Sequence, residues 1–478
     1  MFSELWFMGH AGWWLLADAL IVGLLLPKVI LQRRETGATV AWVVVIILLP
    51  YVGLLMFWLF GTVRLRLRRR KRRRIEQKLA PSLEPLTHGR SPVMQARGRV
   101  GSLVRLAVNL DTQGPLMGNQ VAIFRDGAAT FDAIEREILA AQDHIHLLFY
   151  IWAVDQTGKR VRDLLVAAAQ RGVAVRVLID DVGSYGTRKT FFQPLIEAGG
   201  KVEWFLKVNP LSRQLTLNNR NHRKIIVVDG TIAFIGGMNI GDEYAGIGEP
   251  WKDLHCRVAG PVVNSCQEIF SQDWFHSTGE DVANLRYFPD IPAVGDVYAQ
   301  VLASGPADEQ WRAIPTLIFA AINFAKQRVW IETPYFIPDA PISMALRTAA
   351  LRGVDVRLLI PGKSDHPLVG AAANYFIDEL IDAGVKVYQD FVVMRHGKAV
   401  IVDEWFATVG SANMDQRSFW LNFEANLFVY SAEVNRRLGE DFSMQIEGLE
   451  QVTAQKRRQA PPRQKLLEAF ARLLAPLL

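Results

Sequence analysis

Two stretches of this chain carry the same reactive residue types at the same spacing. His222, Lys224, Asp229, Gly236 and Asn239 read H-x-K-x4-D-x6-G-x2-N, and His396, Lys398, Asp403, Gly410 and Asn413 repeat the pattern. A lone copy would mean little, because most single histidines are satisfied core or surface residues. Two copies suit attack on a phosphodiester. One imidazole must be neutral to attack phosphorus, and the other must be protonated to give the leaving oxygen a proton. Two lysines with Asn239 and Asn413 can stabilise the charge that builds on the non-bridging oxygens, so neither a metal nor a cofactor is expected. Acidic neighbours should orient the rings, and the candidates are Asp253 in Pro250–Leu254 and Glu424 in Leu421–Ala425. Asp229 and Asp403 belong to the same catalytic motif, but their position points to shaping turns rather than to acid–base work.

The residues around the motifs say what must position them. Val227-Val228-Asp229-Gly230 reads as a strand running into a hairpin turn toward Thr231–Ile235. Side chains two apart on a strand share a face, so His222 and Lys224 are expected to point together, as are His396 and Lys398 in a strand over Met394–Val402. His144–Trp152 reads as a buried strand, Lys159–Arg171 as a helix ended by Gly172, and Val173–Ile179 as the next strand. Arg328–Ile331, Ile342–Arg352 and Val354–Ile360 follow the same order. Arg171–Ile179 matches Arg352–Ile360 at seven of nine positions, and Leu195–Gly199 is echoed by Leu380–Gly384. The pattern predicts a tandem duplication: an α/β sandwich in each half, with the halves packed across a pseudo-twofold axis. His144 and His146 alternate as two metal ligands would, but no third ligand accompanies them, and core packing is the expectation.

Composition adds a second kind of region. Half of the 478 residues are hydrophobic, and the excess is concentrated at the start. Trp13–Leu31 and Ala38–Phe60 are each about long enough to cross a bilayer core of roughly 30 Å as a helix. Trp13, Trp14, Trp42 and Trp58 lie near the ends of these stretches, where indoles favour headgroups. Arg64–Arg74 then places nine cations in eleven residues, more than the chain's net charge of +6, so the remainder is mildly acidic. Such a run is expected to hold its side of a span in the cytoplasm, and either binds anionic headgroups as well or serves as a topology signal alone. A mildly acidic remainder argues against nucleic acid as a partner. Pro81, Pro85 and Pro92 mark a linker. Cys256 and Cys266 supply neither a disulfide framework nor metal-ligand spacing and read as buried thiols in a reducing compartment. After Pro461-Pro462, Leu466, Leu467, Phe470, Leu473 and Leu474 recur at helical spacing among Arg463, Lys465 and Arg472, which fits a helix lying on lipid or one docked on the protein's own core.

The paired motifs resemble the phospholipase D superfamily. From about residue 13 to its C-terminus the chain is similar to bacterial cardiolipin synthases with an N-terminal two-span membrane hairpin, most clearly over Arg34–Gly61, Arg220–Gly230, Glu332–Pro338 and Gly410–Phe419. The resemblance implies two phospholipase D-like α/β/α domains at 116–288 and 289–455. These would follow a hairpin and basic run at 1–75 and a linker at 76–115, and precede an amphipathic tail at 456–478. It implies Tyr335, Asn239, Asn413, Asp253 and Glu424 as residues that bind or orient substrate. It also implies a ping-pong transfer, in which His222 takes a phosphatidyl group from phosphatidylglycerol and His396 serves as acid and then base. The expected partners are anionic phospholipid (phosphatidylglycerol, cardiolipin) and the membrane, with a homodimer allowed but not required. The expected location is the bacterial inner membrane, multi-pass, with the catalytic domains on the cytoplasmic side. A hydrolytic phospholipase D releasing phosphatidic acid uses the same residues, and a scaffold clustering anionic lipid through Arg64–Arg74 needs none of them.

Overall fold

The computed structural model describes residues 2–31, 36–60, 78–79, 81–87, 94–110, 114–207, 219–306 and 312–475. The chain divides into two compact units, one built on the N-terminal helices and one holding everything that carries the motifs.

In the first unit, helices span Phe2–Ile30, Thr36–Leu48 and Pro50–Phe60, and Leu25, Val29, Ile46 and Phe57 form a small core. The second apolar stretch is therefore not the single span expected. Pro50 has no amide proton to continue the preceding helix, so the stretch breaks into helices of 13 and 11 residues. Among the described residues, no helix is long and apolar enough to cross a membrane. The basic run Arg64–Arg74, Pro92 and the side chains of Trp14 and Trp58 lie outside the described residues.

In the second unit, the first half contributes β1 (Leu116–Phe124), β2 (His144–Phe149), β3 (Ala174–Asp180), β4 (Lys201–Phe205), β5 (Ile225–Val228), β6 (Ile232–Gly236) and β7 (His255–Ala259). The second half contributes β8 (Val297–Ser304), β9 (Arg328–Glu332), β10 (Phe336–Ile337), β11 (Asp355–Pro361), β12 (Lys386–Asp390), β13 (Ala399–Val402), β14 (Phe406–Gly410), β15 (Met414–Asp415), β16 (Glu424–Tyr430) and β17 (Gln451–Val452). One sheet runs β17-β12-β11-β9-β13-β14-β16-β8-β1-β7-β6-β5-β2-β3-β4, and β10 pairs separately with β15. Read outward from the antiparallel β1–β8 junction, the two halves have the same strand order, as the duplicated sequence predicts. The halves are thus not two sheets in contact. They share one.

Local sequence explains the repeated units. The helix Gln156–Gln170 is capped by Asp155, which accepts from Gly158 N, and Ala340–Leu351 by Asp339, which accepts from Ile342 N. Both give way to left-handed glycines, Gly172 at φ +91° and Gly353 at φ +86°, a turn that side chains with a Cβ resist. Each half covers one sheet face with its own helices, while the helices Val263–Thr278 and Ala432–Ile446 fill a core lined by strands of both halves. Each buried Leu, Ile or Phe there contributes about 1.5–3 kcal/mol relative to exposure, which holds the halves as one body. Part of the stretch expected as a linker is the helix Gly98–Asn109, with Leu103, Val104 and Ala107 buried against the second half. His144 and His146 are core residues as expected, His146 stacking on Phe270 at 4.4 Å. Cys256 and Cys266 are free and fully buried, and burial pushes both thiols up to about 12.

Candidate active site

Neither motif histidine sits in a strand, contrary to the sequence expectation: β5 begins at Ile225 and β13 at Ala399. Just before those strands the chain leaves its own half and pairs with the other. His222 N donates to Phe423 O at 2.9 Å and Phe423 N to Arg220 O at 2.9 Å; His396 N donates to Lys252 O at 2.7 Å and Lys252 N to Met394 O at 3.0 Å. Each motif is pinned by main chain from the opposite half, so the tight alternation of a ladder stops there.

The same exchange orients the rings. His222 Nδ1 lies 3.0 Å from Ser411 O and 3.1 Å from Glu424 Oε2, both second-half acceptors. His396 Nδ1 lies 2.5 Å from Asp253 Oδ2 of the first half. Because these partners only accept, each Nδ1 carries the proton and leaves Nε2 as the basic nitrogen of the neutral ring. Lys398 Nζ also lies 2.8 Å from His396 Nδ1. A protonated Nδ1 that donates to Asp253 cannot also accept from Lys398, so Lys398 donates to the His396 carbonyl. Lys224 likewise donates to the His222 carbonyl at 2.6 Å and lies over the Tyr150 ring.

Electrostatics tie the four groups into one site. Burial lowers His222, opposed by Glu424 and reinforced by Lys224 and Lys398. Burial and then Lys398 bring His396 down to about 4, against the pull of Asp253. Burial works to raise Asp253, but Lys398 and His396 hold it at about 2, and His222 does the same for Glu424 in direction. Burial lowers Lys224 well below the usual lysine range and lowers Lys398, each also feeling carboxylates from both halves. The first-half lysine acts on the second-half imidazole and the reverse, as one shared centre requires.

The remaining expected residues fall into two groups. Asn239 Oδ1 accepts from Ile151 N at 3.1 Å and its Nδ2 donates to Tyr244 OH at 2.9 Å, while Asn413 is buried and its backbone amide donates to Ser418 Oγ. Tyr335 OH donates to Asp365 at 2.8 Å. Asp229 accepts from the amides of Gln142, Asp143 and His144, and Asp403 from those of Lys326, Gln327 and Arg328. Both aspartates adopt left-handed backbone, φ +49° and +48°, in the turns beyond β5 and β13. Their carboxylates anchor neighbouring strands, away from the imidazoles.

Sequence reasoning missed several residues at the seam. Arg125, at the end of β1, makes a bidentate pair with Glu332 at 2.9 and 2.7 Å and meets Asp441. Arg223 donates to Asp273 Oδ2 at 2.6 Å, Glu424 O at 3.1 Å and Ser304 O at 3.3 Å. Ser411 Oγ donates to Glu424 Oε2 and Asn422 Nδ2 to its Oε1. The one signal in the sequence was a second cation, Arg223, set between the motif His and Lys. Among the described residues, no group of three or more His, Cys, Asp or Glu stands where it could hold a metal.

Comparison with known proteins agrees with this architecture. A family model described as "Cardiolipin synthase, PLD-like domain" matches residues 134–274 and 318–446, and "Phospholipase_D-nuclease N-terminal" matches 19–61. The cardiolipin synthase of Alkalihalophilus pseudofirmus is 36% identical over 100% of this chain and 95% of its own length. The major cardiolipin synthase of Bacillus subtilis is 37% identical over 97% and 99%, and the cardiolipin synthase of Geobacillus kaustophilus 38% over 94% and 90%. Among solved structures, phosphatidylserine synthase of Haemophilus influenzae superposes with a TM-score of 0.61 over 79% of this chain and 100% of that one, at 16% identity, a likeness of fold. With the domain model matched in both halves and relatives aligned nearly end to end, the chain belongs to the cardiolipin synthase family, built on phospholipase D-like domains.

Proposed function

We propose that the chain is a phosphatidyltransferase that joins two phosphatidylglycerol molecules into cardiolipin and glycerol. The carrying observation is the reciprocal exchange: His222 is held by Glu424 and His396 by Asp253, each carboxylate from the opposite half. In the first step His222 Nε2 attacks phosphorus, the bond to the headgroup glycerol breaks, and His396 gives that oxygen a proton. In the second, neutral His396 takes the proton from a hydroxyl of another phosphatidylglycerol. That oxygen attacks phosphorus, the P–N bond breaks, and His222 is restored. Lys224 and Lys398 hold the non-bridging oxygens, and the negative charge of the phosphodiester favours the protonated His396 that burial alone disfavours. One phosphodiester replaces another, so the exchange needs no nucleotide.

The reading places the work at a bacterial cytoplasmic membrane. Exposed Leu16, Leu20, Leu24 and Leu48 in the N-terminal helices support association with lipid, and the crossing topology expected from the apolar stretches belongs to this same proposal. Purified protein in detergent, given headgroup-labelled phosphatidylglycerol, is expected to release labelled glycerol and form cardiolipin in equal amounts. Phosphatidic acid as the dominant product would replace transfer with hydrolysis. Lipid binding without turnover would leave only a scaffold.

A further inference from the structure

The helix Pro462–Leu473 is turned the wrong way for an ordinary surface helix. It buries Ala471 and Glu468, and Ala475 just beyond it, against Ile337, Ala372 and their neighbours, with Arg457 bridging Glu468 and Asp378. Its large apolar side chains face outward: Leu466 is 73% exposed, Phe470 56% and Leu473 68%. A helix that needed only to cover a core would bury those and expose the glutamate. Arg463, Lys465 and Arg472 accompany the exposed apolar face. Beside the helix lies a cavity of about 390 Å³, lined by Leu467, Gly362, Lys363 and the residues either side of Tyr335, Pro334 and Phe336. The Gly362 end of this cavity meets the turn after β12, where Phe391 is 67% and Val392 91% exposed. That turn and the approach to His396 follow each other directly in the chain. Apolar surface rimmed by cations, on the second half and continuous with a cavity lined by Pro334 and Phe336, fits the boundary of an anionic bilayer.

We infer that the outer face of Pro462–Leu473, with the Phe391-Val392 turn, is an interfacial surface that rests on anionic phospholipid and brings the second half's side of the site to the lipid. The inference rests on the lipid-transfer reading for its purpose, but not for its test. Cys256 and Cys266 are buried, so a cysteine introduced at Phe470 is the reactive thiol for a polarity-sensitive dye. In the full chain, Phe470→Cys so labelled is expected to brighten severalfold in vesicles containing phosphatidylglycerol and to be quenched by lipid-borne quenchers. Met444→Cys, at an exposed position on Ala432–Ile446, is expected to stay wet. A Phe470 label as water-exposed as the Met444 label overturns the inference, whether or not cardiolipin is made. Quenching in a preparation that makes no cardiolipin sinks the transferase reading and leaves this one. The triple variant Leu466→Ser, Phe470→Ser, Leu473→Ser is expected to lose at least about tenfold in rate on vesicle phosphatidylglycerol while keeping its rate on short-chain, monomeric substrate. Equal loss on both substrates would assign the helix a purely structural part.

Discussion

His222 meets Glu424 at 3.1 Å in a cluster that includes Ser411 and Asn422, whereas His396 meets Asp253 at 2.5 Å with Lys398 pressed against the same ring nitrogen. Tyr150 flanks the first ring; Tyr244 and Trp251 flank the second. The duplicated letters place the two imidazoles alike, and differing residues at matching positions, Asp253 against Glu424, make them unlike. Symmetry of position therefore comes from the repeat, and difference of environment from the side chains around each ring. A chemistry that needs a nucleophile and an acid from two copies of one motif requires that split.

The largest effect should come from removing either ring. His222→Ala and His396→Ala are each expected to lower turnover by on the order of 10⁴ or more. A phosphatidyl ester with a good leaving group separates the roles: His396→Ala should still give a burst of leaving group and a labelled protein, and His222→Ala should give neither. A burst that survives only in His222→Ala would invert the assignment. Next come the carboxylates. Asp253→Asn and Glu424→Gln should reduce kcat roughly 10²- to 10⁴-fold with little change in KM, because each sets the proton position of a ring rather than touching lipid. Equal residual rates in the two would blur the contrast between the short single contact and the shared one.

Smaller effects read stability. Asp229→Ala or Asp403→Ala removes the acceptor of three backbone amides and should cost about 2 kcal/mol or more in chemical denaturation, with the folded fraction retaining its pH profile. His396 is held at about 4 against an ordinary 6.5, so the unfolded chain binds the extra proton between those values. Its contribution to stability therefore rises as pH climbs through that window and is level above it. His396→Gln should remove that slope, a change on the order of 2–4 °C in Tm between the two ends of the window. Smallest, Tyr335→Phe deletes one hydrogen bond to Asp365 and should alter KM by less than about threefold.

The repeat at Arg171–Ile179 and Arg352–Ile360 carried strand, helix end and left-handed glycine together, so the doubled α/β order could be read directly. The carboxylate partners were legible because the second imidazole had to find an acid outside its own motif. The crossing of those partners was not, since nothing local in Lys252 or Phe423 announces pairing with a motif more than a hundred residues away. The strand assignment for His222 and His396 failed for the same reason: the β-branched residues that follow them are strand formers, but tertiary pairing removed the motif itself from the ladder. Pro50 lies inside the Ala38–Phe60 stretch, and length and hydropathy alone overlook how it divides that stretch into two helices.

The junction of β1 with β8 has a mechanical consequence. Enzymes whose reactive groups come from two lobes often open like jaws, but here the lobes are stitched by backbone pairing on either side of the chemistry, at Asn221 with Phe423 and at Lys252 with Arg395. Spreading them would tear the hydrogen bonds that aim the rings. Substrate must then arrive and depart while the lobes stay joined, so turnover should not be paced by a hinge between them.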